Sequence, residues 1–177
     1  MRTVTYGAAC SLDGFITAGD GALDWLHFSR DVQETMAAYW PTVDTILMGR
    51  KTWEAAVAQC GGGGGDTPGI TTYIFSRTLR EAPAGAHLVA SGAGEFVREL
   101  KRQPGKGICI MGGGELGLSL FEAGVIDEVG LNVHPVLLGT GVPLFRDVGR
   151  RIALELAESR VLDGGCVLST YRVRGGE

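Results

Sequence analysis

The sequence has no long hydrophobic run and no ordered set of metal-binding residues. No segment approaches the roughly 20 apolar residues of a membrane-spanning helix, and the apolar run before Cys10 is too short for a signal peptide. The four cysteines form no C-x-x-C pair, and the three histidines are scattered. These absences predict a cytoplasmic protein with reduced thiols, without a zinc site, a disulfide framework or a membrane anchor.

Neither sign of charge is in large excess. The formal net charge is -4 and no basic stripe is present, which argues against a nucleic-acid-binding protein. A content of 45% hydrophobic and 20% charged residues excludes a disordered or fibrous chain. The 177 residues suit a single domain over 1–177 that needs no disulfide or metal to fold.

Glycine is abundant, and its positions are informative. The chain has 29 glycines, well above the average usage of about 7%. Five are consecutive at 61–65, within a segment at 59–69 that is predicted to be a loop. Several of the others lie where a predicted strand leads into a helix, which is where open α/β sheets bind ligands.

Strands and helices alternate over most of the chain. Strands are predicted at 3–10, 44–48, 71–75, 87–90, 107–111 and 128–133, and helices at 29–40, 51–58, 95–102 and 115–123. Two strands at 152–162 and 166–174 then flank an Asp163-Gly164 turn signal. This order predicts a three-layer α/β fold, in which helices cover both faces of a mostly parallel sheet and a C-terminal antiparallel hairpin forms one edge.

The first strand-to-helix corner carries Gly49, Arg50, Lys51 and Thr52. A helix start offers unpaired N–H groups and a positive dipole end, and both favour a bound phosphate. Arg50 and Lys51 would add charge-assisted hydrogen bonds. The alternative is that both cations are solvated residues of the first turn.

Two further corners follow other predicted strands. Ser76, Arg77 and Thr78 place two hydroxyls beside a guanidinium, which suits a phosphate monoester, although such an arginine is often an ordinary surface residue. The glycines at 112–114 permit close approach of the backbone to a ligand. Gly112, Gly114 and Gly117 match G-x-G-x-x-G, but the acidic residue of a dinucleotide-binding βαβ unit is missing after the next strand.

Taken in order, these corners belong to a longer series of short motifs. They are SLDGFI at 11–16, MGRKTW at 48–53, SRT at 76–78, MGGGEL at 111–116, HPVLLG at 134–139 and PLF at 143–145. The series resembles the dihydrofolate-reductase-like fold, and most closely the reductase domain of bifunctional riboflavin-biosynthesis deaminase/reductases.

The resemblance implies NADPH as the cofactor. Residues 49–52 would hold the pyrophosphate and, through Arg50, the adenosine end. Residues 76–78 would hold the adenosine 2′-phosphate, which favours NADPH over NADH. Ala9 and Ile16 would flank the nicotinamide ring.

The third corner would close over the same cofactor. By the resemblance, Gly112, Gly113, Gly114 and Glu115 would contact the pyrophosphate at a second helix start. In this family the peptide bond that matches Gly112–Gly113 is cis, an uncommon state that costs about 2.5–4 kcal/mol.

Two carboxylates are candidates for the proton donor that reduction of a C=N bond requires. Asp13 lies in the SLDGFI motif, and Asp31 lies on the first helix beside the face formed by Val32, Met36 and Tyr39. A donor of this kind normally lies in an apolar cleft that raises its pKa. Asp13 could instead be a turn residue, and Asp31 a first-turn acid that stabilises the helix dipole.

The resemblance also indicates the substrate class. It implies a small heterocycle or a ribosylaminopyrimidine phosphate. The residues that could line its pocket are Trp25, His27, Phe28 and Phe145, and each could instead be ordinary core. The alternatives are a dihydrofolate reductase and a non-catalytic NADPH-binding module. Members of this branch are commonly dimers, and the two closing strands offer an edge for a homodimer.

Overall fold

The computed structural model describes residues 1–60, 68–112 and 114–174. The strands are β1 (Val4–Ser11), β2 (Phe15–Ala18), β3 (Val43–Gly49), β4 (Thr71–Phe75), β5 (Ala86–Val89), β6 (Gly107–Met111), β7 (Glu128–His134), β8 (Gly141–Pro143), β9 (Leu154–Val161) and β10 (Val167–Val173). The helices are α1 (Arg30–Tyr39), α2 (Arg50–Cys60), α3 (Ala93–Arg102) and α4 (Gly114–Glu122).

Eight of the strands form one sheet in the order β5-β4-β3-β6-β1-β7-β10-β9. The six from β5 to β7 are parallel, whereas β10 and β9 run antiparallel at one edge. The predicted fold class and C-terminal hairpin are therefore confirmed. Strand β2 pairs with β8 in a separate antiparallel ribbon, which the sequence analysis did not predict.

The central strands are apolar on both faces because helices cover each side. In β6, Ile108 and Ile110 join a core cluster with residues of α3 and α4. Cys109 and Met111 alternate with them and pack against residues of α1 and α2 on the other side. The sheet thus has an α3/α4 face and an α1/α2 face, as the alternation of side chains along a strand requires.

Two details differ from the sequence predictions. Met36, expected on the buried face of α1, is 41% exposed, and Val32 is the buried residue of that helix. Helix α2 continues to Cys60, so the predicted loop at 59–69 begins later than expected. Residues 61–67 of that loop lie outside the described residues.

The connection between β9 and β10 is a 3₁₀ turn at Asp163–Gly165, in agreement with the predicted turn. Gly164 has φ +79°, a conformation that favours glycine over other residues.

Candidate functional site

Five of the sequence motifs meet at one edge of the sheet. The strands β4, β3, β6, β1 and β7 are successive parallel neighbours, and each ends where one of these motifs begins or lies. Because the carboxyl ends of parallel strands share an edge, the five motifs form a continuous row. The row carries, in order, the motifs at 76–78, 48–53, 111–116, 11–16 and 134–139.

The first and third corners are in direct contact. Gly112 has φ +89°, and a Cβ added there would lie 2.1 Å from Oγ1 and 2.8 Å from Cβ of Thr52. At Gly49, by contrast, an added Cβ would meet no atom within 4 Å. The two corners therefore combine a tightly packed glycine, Gly112, with a glycine that borders open space, Gly49.

Three cationic side chains lie at the first two corners, and one of them already forms an ion pair. Arg50 forms an ion pair with Glu54 at 2.6 Å on the surface of α2. Lys51 and Arg77 are exposed, and neither has an ion-pair partner within 1–60, 68–112 and 114–174. The two cations remain available to an anion at this edge.

The second corner is a tight turn. Oγ of Ser76 accepts hydrogen bonds from the backbone N–H groups of Thr78 and Leu79 at 3.2 and 3.1 Å. Oγ1 of Thr78 lies 3.3 Å from the same oxygen. The Ser76 hydroxyl therefore shapes the turn, and the exposed groups of this corner are Arg77 and Thr78.

The third corner opens α4. Gly114 is buried with φ +69°, and Glu115 is an exposed acid in the first helical turn. A Cβ at Gly114 would lie 3.3 Å from Nε of Arg146, a cation that the sequence analysis did not single out. Gly113 and the peptide bond that was predicted to be cis lie outside the described residues.

Asp13 joins two of the motifs. Its carboxylate accepts hydrogen bonds from Oγ of Ser11 at 2.6 Å and from the backbone N–H groups of Leu138 and Gly139 at 3.1 and 2.8 Å. These hydrogen bonds, that from Ser11 first, lower the pKa of Asp13. These hydrogen bonds connect the loop after β1 to the loop after β7.

Asp31 likewise connects two segments that are distant in the sequence. It accepts hydrogen bonds from Oγ of Ser29 and from the backbone N–H of Asp163, in the turn between β9 and β10. Hydrogen bonding by Ser29, and then by Asp163, lowers its pKa. The apolar cleft and raised pKa expected of a proton donor are found at neither carboxylate, and the catalytic role of each stays a prediction.

The three aromatic residues predicted for the substrate pocket are not brought together. Trp25 is buried edge-on to His134, with ring centroids 5.4 Å apart. Phe28 is 61% exposed. Phe145 lies against Tyr6 on the α3/α4 face, where it lines a cavity of about 210 Å³. Trp25 lies towards the α1/α2 face, so one pocket cannot include both rings.

The two residues predicted to flank the nicotinamide are both half-buried. Ala9 is paired in register with Asn132 of β7. Ile16 lies in β2 and packs against the core cluster of the α3/α4 face. Their role towards a cofactor stays a prediction.

Three buried polar atoms on these elements have no hydrogen-bond partner in the part of the chain that the structure describes: Nε1 of Trp53, Oδ1 of Asn132 and Nε2 of His134. Buried polar groups in native proteins are nearly always paired with protein or ordered water. Asn132 was missed because an isolated polar residue in a strand carries no motif, and His134 was noted only as the first residue of the motif at 134–139.

The described part of the chain contains no cluster of three His, Cys, Asp or Glu side chains that could hold a metal ion. None of its helices combines the length and apolar character needed to cross a membrane.

Comparison with solved structures defines the class of protein. The chain is similar to Enterococcus faecalis dihydrofolate reductase complexed with NADP(H), with a TM-score of 0.68, 18% identity, and coverage of 98% of this chain and 97% of the other. It is also similar to the Thermotoga maritima diaminohydroxyphosphoribosylaminopyrimidine deaminase/5-amino-6-(5-phosphoribosylamino)uracil reductase (TM-score 0.71, 15% identity), covering 98% of this chain and 57% of that one. The fold is therefore that of the dihydrofolate reductases.

Closer similarities define the family. The profile of the RibD C-terminal domain matches residues 2–168, and the chain belongs to that family. A candidate riboflavin biosynthesis protein of Shewanella sp. PV-4 has a TM-score of 0.85 and 27% identity over 99% of this chain and 100% of that one. The uncharacterized protein YyaP of Bacillus subtilis strain 168 is 34% identical over 189 aligned positions, which span 99% of this chain and 97% of YyaP.

Proposed function

We propose that the chain, acting as a single domain, is an NADPH-dependent reductase that transfers a hydride to a small heterocyclic or ribosylamino substrate. The observation that carries the proposal is the row of five motifs at one sheet edge, three of which are phosphate-type corners on the adjacent strands β4, β3 and β6. Membership of the RibD C-terminal domain family supports the same reading.

The corners fit a dinucleotide phosphate. Open space at Gly49 leaves room for the pyrophosphate at the start of α2, and Lys51, which has no ion-pair partner among the described residues, lies in the same turn. Arg77 would hold the adenosine 2′-phosphate through charge-assisted hydrogen bonds. Bound NADPH would supply the hydride, and the chain's own residues would bind and orient both reactants.

A non-catalytic NADPH-binding module is the second candidate. The observation in its favour is that Asp13 and Asp31 both have lowered pKa values and hold loops in place. In such a module, NADPH would bind but no substrate would oxidise it.

The first test is a thermal-shift titration with NADPH and NADH. A ligand at about 100 times its dissociation constant adds roughly 2.7 kcal/mol to stability, which is an easily measured shift. A shift with NADPH and little with NADH is expected, and a shift with neither would refute the cofactor assignment. Steady-state NADPH oxidation with 5-amino-6-(5-phosphoribosylamino)uracil then separates the reductase from the binding module.

Arg77→Ala tests the 2′-phosphate contact. Loss of a hydrogen bond to a charged group costs about 1.5–3 kcal/mol, so the dissociation constant for NADPH should rise roughly 10- to 150-fold while that for NADH stays unchanged. Arg172→Ala is the matched control, because Arg172 is also exposed but lies in register with Glu128 at the start of β7, the end opposite to the row of motifs. Equal weakening of both nucleotides in Arg77→Ala would contradict the assignment.

We also propose a cytoplasmic homodimer formed through β9. Every residue of this edge strand is exposed, including Leu156 at 55% and Val161 at 74%. An exposed edge strand that carries apolar side chains is a surface that a second copy can cover. Analytical ultracentrifugation of the wild type and Leu156→Lys should give a dimer and a monomer, and a monomeric wild type would refute the proposal.

A further inference from the structure

The cavity beside Phe145 lies on the α3/α4 face and is bordered by α4, by the strands β1 and β7, and by the segment at 144–154. Of the described residues that are proposed to hold the cofactor, only Gly114 lines it. Its walls are mostly apolar side chains of the core cluster, namely Tyr6, Phe121, Val129, Leu144, Val148 and Ile152. The Tyr6 hydroxyl donates to the carbonyl of Leu144 at 2.7 Å, so the polar atom of this ring is already paired.

The size of the cavity suits one ring with a short chain. An engineered apolar cavity of about 150 Å³ in another protein binds benzene, and the volume here is larger, at about 210 Å³. Three aromatic side chains form one wall. The ring centroid of Tyr6 lies 5.4 Å from that of Phe121 and 5.7 Å from that of Phe145. Aromatic rings stabilise one another at such distances, and a ligand ring would extend the cluster.

The opening of the cavity is cationic. The lining residues exposed to solvent are Phe145, Arg146 and Leu154. Arg146 is the one charged residue among the described lining residues, and no described acidic side chain lies within ion-pair distance of it. The neighbouring Asp147 accepts the backbone N–H of Gly149, and Arg150 donates to the carbonyl of Phe121 at 3.0 Å, which connects this segment to α4. The opening therefore presents a guanidinium beside an apolar space.

We propose that this cavity is a second ligand site, separate from the row of motifs, and that it binds a small aromatic carboxylic acid. The ring of the acid lies among Tyr6, Phe121 and Phe145. Its carboxylate accepts charge-assisted hydrogen bonds from Arg146, because a planar guanidinium matches a carboxylate with two parallel bonds. The inference goes beyond the proposed reductase function and does not depend on it.

The probe is 3-phenylpropionate, which has one ring and a two-carbon chain before its carboxylate. Ligand-observed NMR titration of the full chain should show saturable binding. The alcohol 3-phenylpropan-1-ol has the same ring and a neutral end, so it should bind about tenfold more weakly, because the hydrogen bonds lose their ionic partner. Equal affinity for the two compounds, or no binding of the acid, would overturn the proposal.

Arg146→Gln removes the cation and keeps a polar side chain at the opening. The dissociation constant for the acid should rise about tenfold, while that for the alcohol should stay within about twofold. Arg151→Gln is the matched control, because Arg151 is an exposed arginine of the same segment that does not line the cavity. The control should leave both constants within about twofold. Weaker acid binding in both variants, or in neither, would contradict the role of Arg146.

Intermolecular nuclear Overhauser effects locate the probe in the wild type. Contacts from the probe ring to the rings of Phe121 and Phe145 are expected, and contacts to Ala9 or Ile16 in their place would overturn the proposal. Leu154 is the first residue of β9, so a dimer through that strand would lie close to the opening. Acid binding that weakens as the protein concentration is raised would show that a second copy covers the cavity, and would overturn the proposal as well.

Discussion

The close approach of Gly112 to Thr52 gives the sharpest prediction for the two corners that are proposed to bind the cofactor. In Gly112→Ala the new methyl group would lie 2.1, 2.6 and 2.8 Å from Oγ1, Cγ2 and Cβ of Thr52. Rotation of the Thr52 side chain cannot move its Cβ, so the backbone at one of the two corners must shift. Overpacking of this kind typically costs about 1–3 kcal/mol.

The backbone of Gly112 adds a second cost. Its φ of +89° is strained for alanine, at about 1–3 kcal/mol for a non-glycine residue. The sum predicts a loss of about 2–6 kcal/mol in the free energy of unfolding. For a chain of this size that corresponds to roughly 5–20 °C in melting temperature.

Urea denaturation of Gly112→Ala, Thr52→Ala and the double variant measures this effect. Part of the loss should be recovered in the double variant, because two of the three clashing atoms are gone. Gly49→Ala is the control: with no atom within 4 Å, it should change stability by less than about 0.5 kcal/mol while weakening NADPH binding. A Gly112→Ala protein as stable as the wild type would refute the contact between the two corners.

Three other substitutions test separate contacts of the fold. Tyr6→Phe should lower the free energy of unfolding by about 1–3 kcal/mol, because the buried carbonyl of Leu144 loses the hydroxyl that donates to it at 2.7 Å. Urea titration measures this loss, and an unchanged value would contradict the hydrogen bond. The lowered pKa of His134 means that the unfolded chain binds more protons, so stability should fall as the pH drops below about 6.5, and calorimetry of His134→Gln should lack this loss. Asp13→Asn should melt at a lower temperature than the wild type at pH 7, because the carboxylate bonds to Gly139 and its neighbour are weakened. Since the folded pKa of Asp13 is lowered, that difference should vanish as the pH falls below about 4, and its persistence there would contradict the role of the charge.

The sheet was predictable from local pattern because its strands are short, apolar and separated by clear breaks. The run Thr71–Phe75 is β-branched and aromatic, and the structure gives β4 the predicted bounds. The same holds for Gly107–Met111, whose side chains are buried towards both faces. The ribbon of β2 and β8 was missed because three residues at 141–143 carry no periodicity and pair only through a long-range contact.

The site was predictable to the level of the row of motifs, but not to the level of side-chain contacts. Alternation of strands and helices predicts parallel strands, whose carboxyl ends share one edge, so the phosphate-type corners could be expected there. The ion pair of Arg50 with Glu54 was readable from the spacing of four residues. The contact of Asp31 with Asp163 was not, because 132 residues separate the two in the chain.

The contacts of the acidic residues bear on where a reductase of this kind obtains its proton. Hydrogen bonds lower the pKa of Asp13 and of Asp31, which favours the ionised carboxylate near pH 7, the form that does not donate a proton. The catalytic role of each stays a prediction. His134 cannot replace them, because burial keeps it neutral and a neutral imidazole N–H is a hydrogen-bond donor rather than an acid. In the proposed function, the row of motifs at the carboxyl edge of the sheet would bind the cofactor and the substrate. In the proposed reaction the proton then comes from solvent at that edge, and the rate should follow the pH of the medium rather than the titration of either aspartate.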